Sequence, residues 1–181
     1  MLSRQLFWTI ANATAAALVD GSTGPLFPTA EGEDYNEWAN GQYCFADDTN
    51  YAMADYTNYP TENDFYNFNF VIPAGATIDG IVIYANIETN DTEPARSKMT
   101  IELSWNGGTT YTSTGNYIIN TVRNAFQLLS AGSSSNTWGR TWSASELSNA
   151  NFRMRGTFVD GGTNPYESLC DYITAIVYYK A

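Results

Sequence analysis

The sequence predicts an all-β protein, an antiparallel β-sandwich of jelly-roll-like form that carries an extended N-terminal arm. Beyond residue 64, apolar side chains recur at every second position in several runs, which is the pattern of half-buried strands. Turn-forming residues separate these runs at intervals of about ten residues, as in sandwich folds. Only one short helix is clearly indicated, and helices do not alternate with strands, so a parallel β-α-β sheet is disfavoured.

Four runs of alternation define predicted strands, and each needs a facing sheet to cover its apolar side. The last segment, Tyr172–Tyr179, is apolar or aromatic at nearly every position, which predicts a central strand covered on both faces. The apolar positions of the four runs are Tyr66, Phe68, Phe70 and Ile72; Ile81, Ile83, Ala85 and Ile87; Met99, Ile101, Leu103 and Trp105; and Phe152, Met154 and Phe158.

Glycine, proline and asparagine mark the turns between these strands. Pro73-Ala-Gly75 predicts a turn, because proline fixes φ and glycine allows the reversal. Asn106-Gly107 is typical of a type I′ hairpin. Ser143-Ala-Ser-Glu146 matches a capping box, in which the serine hydroxyl and the glutamate carboxylate satisfy free backbone N–H groups, and it predicts the start of the short helix.

The first part of the chain follows no such period. Gly21, Gly24, Pro25 and Pro28 break any regular element, and acids then mingle with aromatics. The sequence therefore predicts an extended arm over residues 1–40 and a sandwich over residues 41–181. Two alternatives are open for the arm, which either wraps its own sandwich or buries apolar residues in a neighbouring subunit. The residues predicted to bind that partner are Phe7, Trp8, Ile10 and Leu18.

The residue types present limit the possible chemistry. The chain contains no His, which excludes Ser-His-Asp and Cys-His nucleophiles, His-ligated zinc and a His general base. Its acids lie in polar, loop-like stretches where no apolar pocket is indicated to raise a pKa. We therefore expect no enzyme, no cofactor and no metal site, with calcium at Asp47-Asp48-Thr49-Asn50 as an alternative. Cys44 and Cys170 match no redox or metal spacing and are expected to be buried free thiols.

The charge of −11 is unevenly distributed along the chain. Residues 1–95 contain 14 acids against one base, whereas residues 96–181 contain five acids against seven bases. So acidic a field repels phosphates and anionic lipid surfaces, which makes nucleic acid and membrane poor partners. No apolar run approaches the roughly 20 residues of a membrane span. Docking to a basic partner protein is the functional use of such acidity, and solubility alone is the other explanation.

Aromatic side chains suggest a second kind of partner. Trp138-Gly-Arg-Thr-Trp142 is a candidate for glycan binding, because indole rings stack on sugar rings. Trp138 and Trp142 also flank the predicted helical turn, where large side chains commonly fill the space under a loop. Core packing is the favoured of these two interpretations.

Three sequence elements, in order, carry a resemblance to a known family. They are Ile-Pro-Ala-Gly-Ala-Thr-Ile-Asp-Gly-Ile within Phe68–Ile83, Trp-Gly-Arg-Thr-Trp at 138–142, and Asp-Tyr-Ile-Thr-Ala-Ile-Val-Tyr-Tyr at 171–179. Together they resemble a β-sandwich module found in structural proteins of tailed bacteriophages. The resemblance implies a virion component on the surface of a capsid or tail, without catalytic residues.

The expected function follows from the sandwich, the arm and the charge split. We expect a capsid decoration or cement protein that binds other virion proteins and its own neighbours, with assembly weakened by salt. By analogy with jelly rolls at capsid symmetry sites, a homo-oligomer such as a trimer is expected. The alternative is a tail or fibre module that binds host surface polysaccharide.

Overall fold

Two antiparallel five-stranded sheets form the protein. The computed structural model describes residues 20–54, 61–91, 98–113, 116–159 and 167–181. Sheet A has the order β1-β10-β5-β8, with β3 also paired to β10, and sheet B has the order β2-β4-β9-β6-β7. The all-β sandwich is confirmed, and the jelly-roll form stays a prediction. The strands are β1 (Asp20–Ser22), β2 (Ala30–Asn36), β3 (Ala52–Ala54), β4 (Thr61–Tyr66), β5 (Thr77–Thr89), β6 (Lys98–Ser104), β7 (Asn116–Ile119), β8 (Gln127–Gly132), β9 (Arg153–Val159) and β10 (Ser168–Lys180).

The core lies between the two sheets, and the alternating runs fill it. The predicted inward positions of β5, β6 and β9 are buried, as on any pleated strand with one face against a second sheet. Each such large apolar side chain contributes about 1.5–3 kcal/mol by leaving water. The buried residues of these three strands include Ile81, Ile83, Ala85, Ile87, Met99, Ile101, Leu103, Met154 and Phe158.

The alternation predicted over 65–72 is wrong in phase and in length. Strand β4 ends at Tyr66, and its buried aromatic ring is that of Phe65. Asn67 and Asn69 both have φ of 59°, a left-handed conformation that ends strand pairing. Phe68 nevertheless lies in the core, because the irregular segment turns it towards Phe152 at a ring separation of 5.5 Å. Apolar residues at every second position thus occur here without a strand.

Strand β10 is central, as predicted. It pairs with β5 along its length on one side and with β1 and β3 on the other. On its inner face Ile173, Ala175 and Val177 are fully buried. On its outer face Tyr172 and Ile176 are only half-buried, so the predicted cover on both faces is incomplete.

Residues 20–40 belong to the two sheets. Strand β1 pairs with the end of β10 and β2 pairs with β4, although the sequence suggested an arm as far as residue 40. Trp38 is buried between Phe65 and Phe158, with ring centroids at 5.5 and 4.8 Å. Among the described residues, the alternative in which this segment wraps its own sandwich therefore applies from residue 20. Phe7, Trp8, Ile10 and Leu18 lie outside the described residues.

Turn chemistry was predicted with mixed success. The loop after β6 is longer than a two-residue hairpin, because pairing resumes only at the bridge between Ser104 and Tyr111. Within it, the Ser104 hydroxyl oxygen accepts hydrogen bonds from the backbone N–H groups of Asn106 and Gly108. The capping box at Ser143 is confirmed, and it begins a 3₁₀ helix over Ala144–Leu147 rather than an α-helix.

Candidate functional site

The outer face of sheet B is closed by its own side chains. Arg155 lies over the rings of Tyr35 and Tyr111, with its guanidinium carbon 4.6 and 4.1 Å from the two ring centroids. Its Nε donates to Glu102 Oε2 at 2.9 Å. Arg153 lies over the ring of Tyr66 at 4.0 Å. Cation–π contacts and charge-assisted hydrogen bonds of this kind satisfy the polar groups within the face.

The outer face of sheet A is different, because it holds an open apolar groove. The groove has a volume of about 310 Å³. Its floor comes from outward positions of three neighbouring strands, where Tyr84 on β5 lies opposite Thr174 on β10. Exposed apolar surface of this kind marks contact sites more often than it marks solvent-facing sheet. The groove is lined by Pro25, Phe27, Asp47, Tyr84, Leu128, Tyr172, Thr174 and Ile176.

Local sequence explains both the floor and the wall of this groove. In β10 nearly every position is apolar or aromatic, so the outward residues Tyr172 and Ile176 are as apolar as the inward ones. The wall is the chain between β1 and β2, where Leu26 bridges to Ala175. Phe27 then packs edge-on against Tyr172, with ring centroids 6.0 Å apart.

An acidic pocket adjoins the groove where β10 begins. Its volume is about 250 Å³, and it is lined by Asp48, Thr49, Asn50, Tyr51, Phe126 and Asp171. Asn86 Nδ2 donates to Asp171 Oδ2 at 3.0 Å. The other carboxylate oxygen, Asp171 Oδ1, is buried without a hydrogen-bond partner. A buried unsatisfied oxygen is costly, so this pocket suits a ligand that carries a donor or a positive charge.

The charges around the pocket also favour a positively charged ligand. Burial raises the pKa of the Asp171 carboxyl, and the charges of Asp47 and Asp48 add to this rise, although hydrogen bonds from Asn86 and from the Asp48 backbone oppose it. Burial also raises the pKa of the Tyr172 hydroxyl, and the negative charges of Asp47 and Asp171 add to that rise. Negative charge is therefore crowded at this end of the groove, and a cation entering the pocket would relieve the crowding.

The tryptophans proposed for glycan binding are buried. Trp138 Nε1 donates to the carbonyl oxygen of Ile81 at 2.9 Å, and Trp142 Nε1 donates to that of Thr137 at 2.8 Å. Both rings belong to the core cluster and present no open face to solvent. Core packing, the favoured interpretation of the Trp138–Trp142 element, agrees with these positions.

The two cysteines meet in the core but are not bonded. Cys44 and Cys170 are both buried and free. Cys44 Sγ donates to the carbonyl oxygen of Cys170 at 3.5 Å. Burial raises the pKa of the Cys44 thiol well above its usual value, and the adjacent Cys170 adds to the effect. Such a thiol is not activated as a nucleophile.

The basic residues that the structure describes in the second half of the chain make contacts within the molecule. Every Lys and Arg side chain that the structure describes has an intramolecular partner. Arg140 binds Glu146 at 2.7 Å, and Lys180 lies 3.2 Å from Asp79. These contacts hold the described bases within their own subunit.

Searches for known features and relatives add little to this geometry. In the described ranges, no three His, Cys, Asp or Glu side chains are grouped so as to hold a metal ion. No helix in that part of the chain is long and apolar enough to cross a membrane. No protein-family model matches the chain, and no curated protein matches it.

Sequence reasoning missed most of this site. Asp47 and Asp48 belong to the alternative calcium site of the sequence analysis, but nothing in the sequence links them to Asp171. Phe126 and Leu128 carried a usable pattern, since both are exposed while Leu129 and Ala131 face inward on the same strand. Polar outward residues are the norm on a half-buried strand, so an apolar outward residue is informative.

Proposed function

We propose that the chain is a structural protein of a bacteriophage virion, a decoration protein that docks on the capsid and on its own neighbours. The observation that carries the proposal is the difference between the two outer faces. Sheet B covers its outer face with internal ion pairs and ring contacts, whereas sheet A leaves an apolar groove open. A two-layer sandwich with an apolar groove on one outer face suits adhesion, because it offers a rigid body with a ready contact surface.

Charge and chemistry support the same role. The first half of the chain is strongly acidic, which suits docking to a basic group on a neighbouring copy or on another virion protein. The chain contains no histidine, and the buried Cys44 thiol is not activated as a nucleophile. The resemblance of Phe68–Tyr179 to phage sandwich modules supplies the virion context. The expected location is the surface of a capsid or tail.

The proposal is tested on virus particles. Phages released by cultures that carry the gene are purified, and their proteins are identified by mass spectrometry. An antibody against the chain, detected with gold particles in electron micrographs, should label the heads. Particles that lack the chain altogether would refute a virion role. Label confined to tails would refute capsid decoration and would favour a tail or fibre module.

The second candidate is a tail or fibre module that binds host polysaccharide, and the acidic pocket is what favours it. Tyr51 and Phe126 are both exposed beside the pocket, and their ring centroids lie 6.1 Å apart. Aromatic faces next to carboxylate and amide oxygens are the elements of a sugar site. A glycan array tests this, with Tyr51→Ala as the variant and Tyr43→Ala, an equally exposed aromatic outside the pocket, as the control. A decoration protein should bind nothing on the array.

A further inference from the structure

The lining of the groove on sheet A suits an extended apolar segment. Its floor and wall are formed by aromatic and branched side chains, chiefly Phe27, Tyr84, Leu128, Tyr172 and Ile176. Leu128 on the edge strand β8 is 55% exposed although it is fully apolar. A volume of about 310 Å³ falls in the range of clefts that bind ligands, roughly 300–1,000 Å³.

The acidic pocket at one end of the groove suits a cation. Asp48 and Asp171 line it, Asp47 lines the adjoining part of the groove, and Asp171 Oδ1 is buried without a hydrogen-bond partner. A guanidinium group suits a pocket lined by carboxylates, because it donates several hydrogen bonds in a fixed plane. The complete surface therefore calls for one basic residue followed by large apolar residues.

The first 19 residues of this chain carry that pattern. Arg4 is followed by Leu6, Phe7, Trp8 and Ile10, and no charged residue comes between Arg4 and Asp20. The spacing fits as well. From Arg4 to Ile10 an extended chain covers about 20 Å, and from Asp171 to Ile176 along β10 the distance is about 17 Å. An arm laid parallel to β10 would place Arg4 in the pocket and its aromatic residues in the groove.

The direction of β1 indicates which copy supplies the arm. The register pairs Asp20 with Lys180 and Ser22 with Tyr178, so Asp20 lies at the C-terminal end of β10. The groove lies in the opposite direction, beside residues 172–176. Residues 13–19 contain no Gly, Pro, Asn or Asp, the residues that favour a chain reversal, and this composition favours the groove of a second copy.

We propose that the groove binds Phe7, Trp8 and Ile10 of a second copy of the chain, while the acidic pocket binds Arg4 of the same arm. The inference rests on the self-association part of the proposed function and names the contact that produces it. Because the same patch and the same arm recur on every copy, arm exchange joins the subunits head to tail and closes into a ring when the rotation allows.

Site-directed cross-linking of the full chain tests the contact directly. Cysteine is introduced at Thr9 in the arm and at Ser130, an exposed residue of β8 beside the groove. In a mixture of two differently tagged chains, Thr9→Cys and Ser130→Cys should cross-link to each other. Thr9→Cys with Tyr117→Cys, on the exposed outer side of sheet B, is the control and should not cross-link. The native Cys44 and Cys170 are buried and stay in place.

Sedimentation measures how strongly each variant associates with itself. Leu128→Asp should weaken self-association at least tenfold, because it places a charge in the apolar groove. Val71→Asp is the control, since Val71 is 84% exposed and lies outside the groove. Arg4→Ala should weaken association several-fold at low salt and less at high salt. Circular dichroism checks that each variant keeps its strands.

Three results would overturn the inference. The first is a wild-type chain that stays monomeric at every concentration, and the second is an equal effect of Leu128→Asp and Val71→Asp. The third is a cross-link in the Thr9→Cys, Ser130→Cys double variant that forms only within single chains, which would place the arm on its own subunit. None of these measurements uses a phage particle. A failure here therefore leaves the virion proposal standing, and unlabelled particles would leave arm exchange standing.

Discussion

Replacing Trp38 by alanine tests whether the segment before residue 40 is part of the sandwich. The indole is 3% exposed and packs on Phe65 and Phe158. Its Nε1 donates to the carbonyl oxygen of Thr61 at 3.3 Å. Gly156 makes room for it, because a Cβ at that position would lie 3.1 Å from the ring. The contacts join β4 and β9 of sheet B to a residue that the sequence assigned to an arm.

The size of the effect follows from the buried area. A buried aromatic side chain removes about 200 Å² from water, and at about 25 cal/mol per Å² this corresponds to about 5 kcal/mol. The denatured chain already hides part of that area, and the site collapses only partly once the ring is gone. We expect Trp38→Ala to lower the free energy of unfolding by about 4 kcal/mol. Trp38→Phe keeps most of the packing and should cost about 1–2 kcal/mol.

Urea unfolding followed by circular dichroism gives both numbers. The control is Tyr43→Ala, an exposed aromatic in the short 3₁₀ helix Gly41–Phe45, which should change stability by less than about 0.5 kcal/mol. If Trp38→Ala costs no more than Tyr43→Ala, then Trp38 is not in the core and residues 20–40 are an arm. A Trp38→Ala chain too unstable to purify still leaves Trp38→Phe to decide, since a dispensable ring would make that variant neutral.

Three further predictions concern the thiols, the acidic pocket and the close contact between β5 and the loop after β8. Cys44 and Cys170 should resist a thiol reagent in the native protein and both react in denaturant without reductant; a lower count would reveal a disulfide. Because burial and neighbouring acids raise the pKa of Asp171, the folded state prefers the protonated carboxyl and loses stability as pH rises. Asp171→Asn should therefore be more stable than wild type near pH 7 in thermal melts. The advantage should vanish near pH 3, where the Asp171 carboxyl is protonated in the folded and unfolded states alike. An equal advantage at the two pH values would contradict this cause. Gly80→Ala should cost about 1–3 kcal/mol in the same urea assay, because its Cβ would lie 2.4 Å from the backbone oxygen of Ser133; a neutral result would mean that the loop moves freely.

The sandwich could be predicted because period-two patterning reports directly on a buried sheet face. Strands β5, β6 and β9 follow that pattern, and the capping box at Ser143 is equally local. The same pattern failed at Phe68 and Phe70, where two asparagines with positive φ bring alternate rings to the core without strand pairing. Periodicity detects which side chains are buried, but it does not distinguish a ladder from an irregular segment.

The assignment of residues 20–40 failed for a different reason. Strand β1 has three residues and β2 contains charged residues, so neither shows a recognisable alternation. Their strand character comes from pairing with β10 and β4, which are distant in the sequence. The candidate site has the same origin. Asp48, Phe126 and Asp171 share one pocket only because the sheet brings three separate segments together, and local sequence carries no signal for such a meeting.

An image of the assembled particle tests the central claim most directly. The claim is that the protein binds its neighbours through the outer face of sheet A. In a cryo-electron microscopy reconstruction of phage particles that contain the chain, density from another subunit should cover Leu128 and Tyr172, while the ring contacts of Arg155 on sheet B face solvent. A reconstruction in which the groove is bare and the outer face of sheet B forms the contact would contradict the claim.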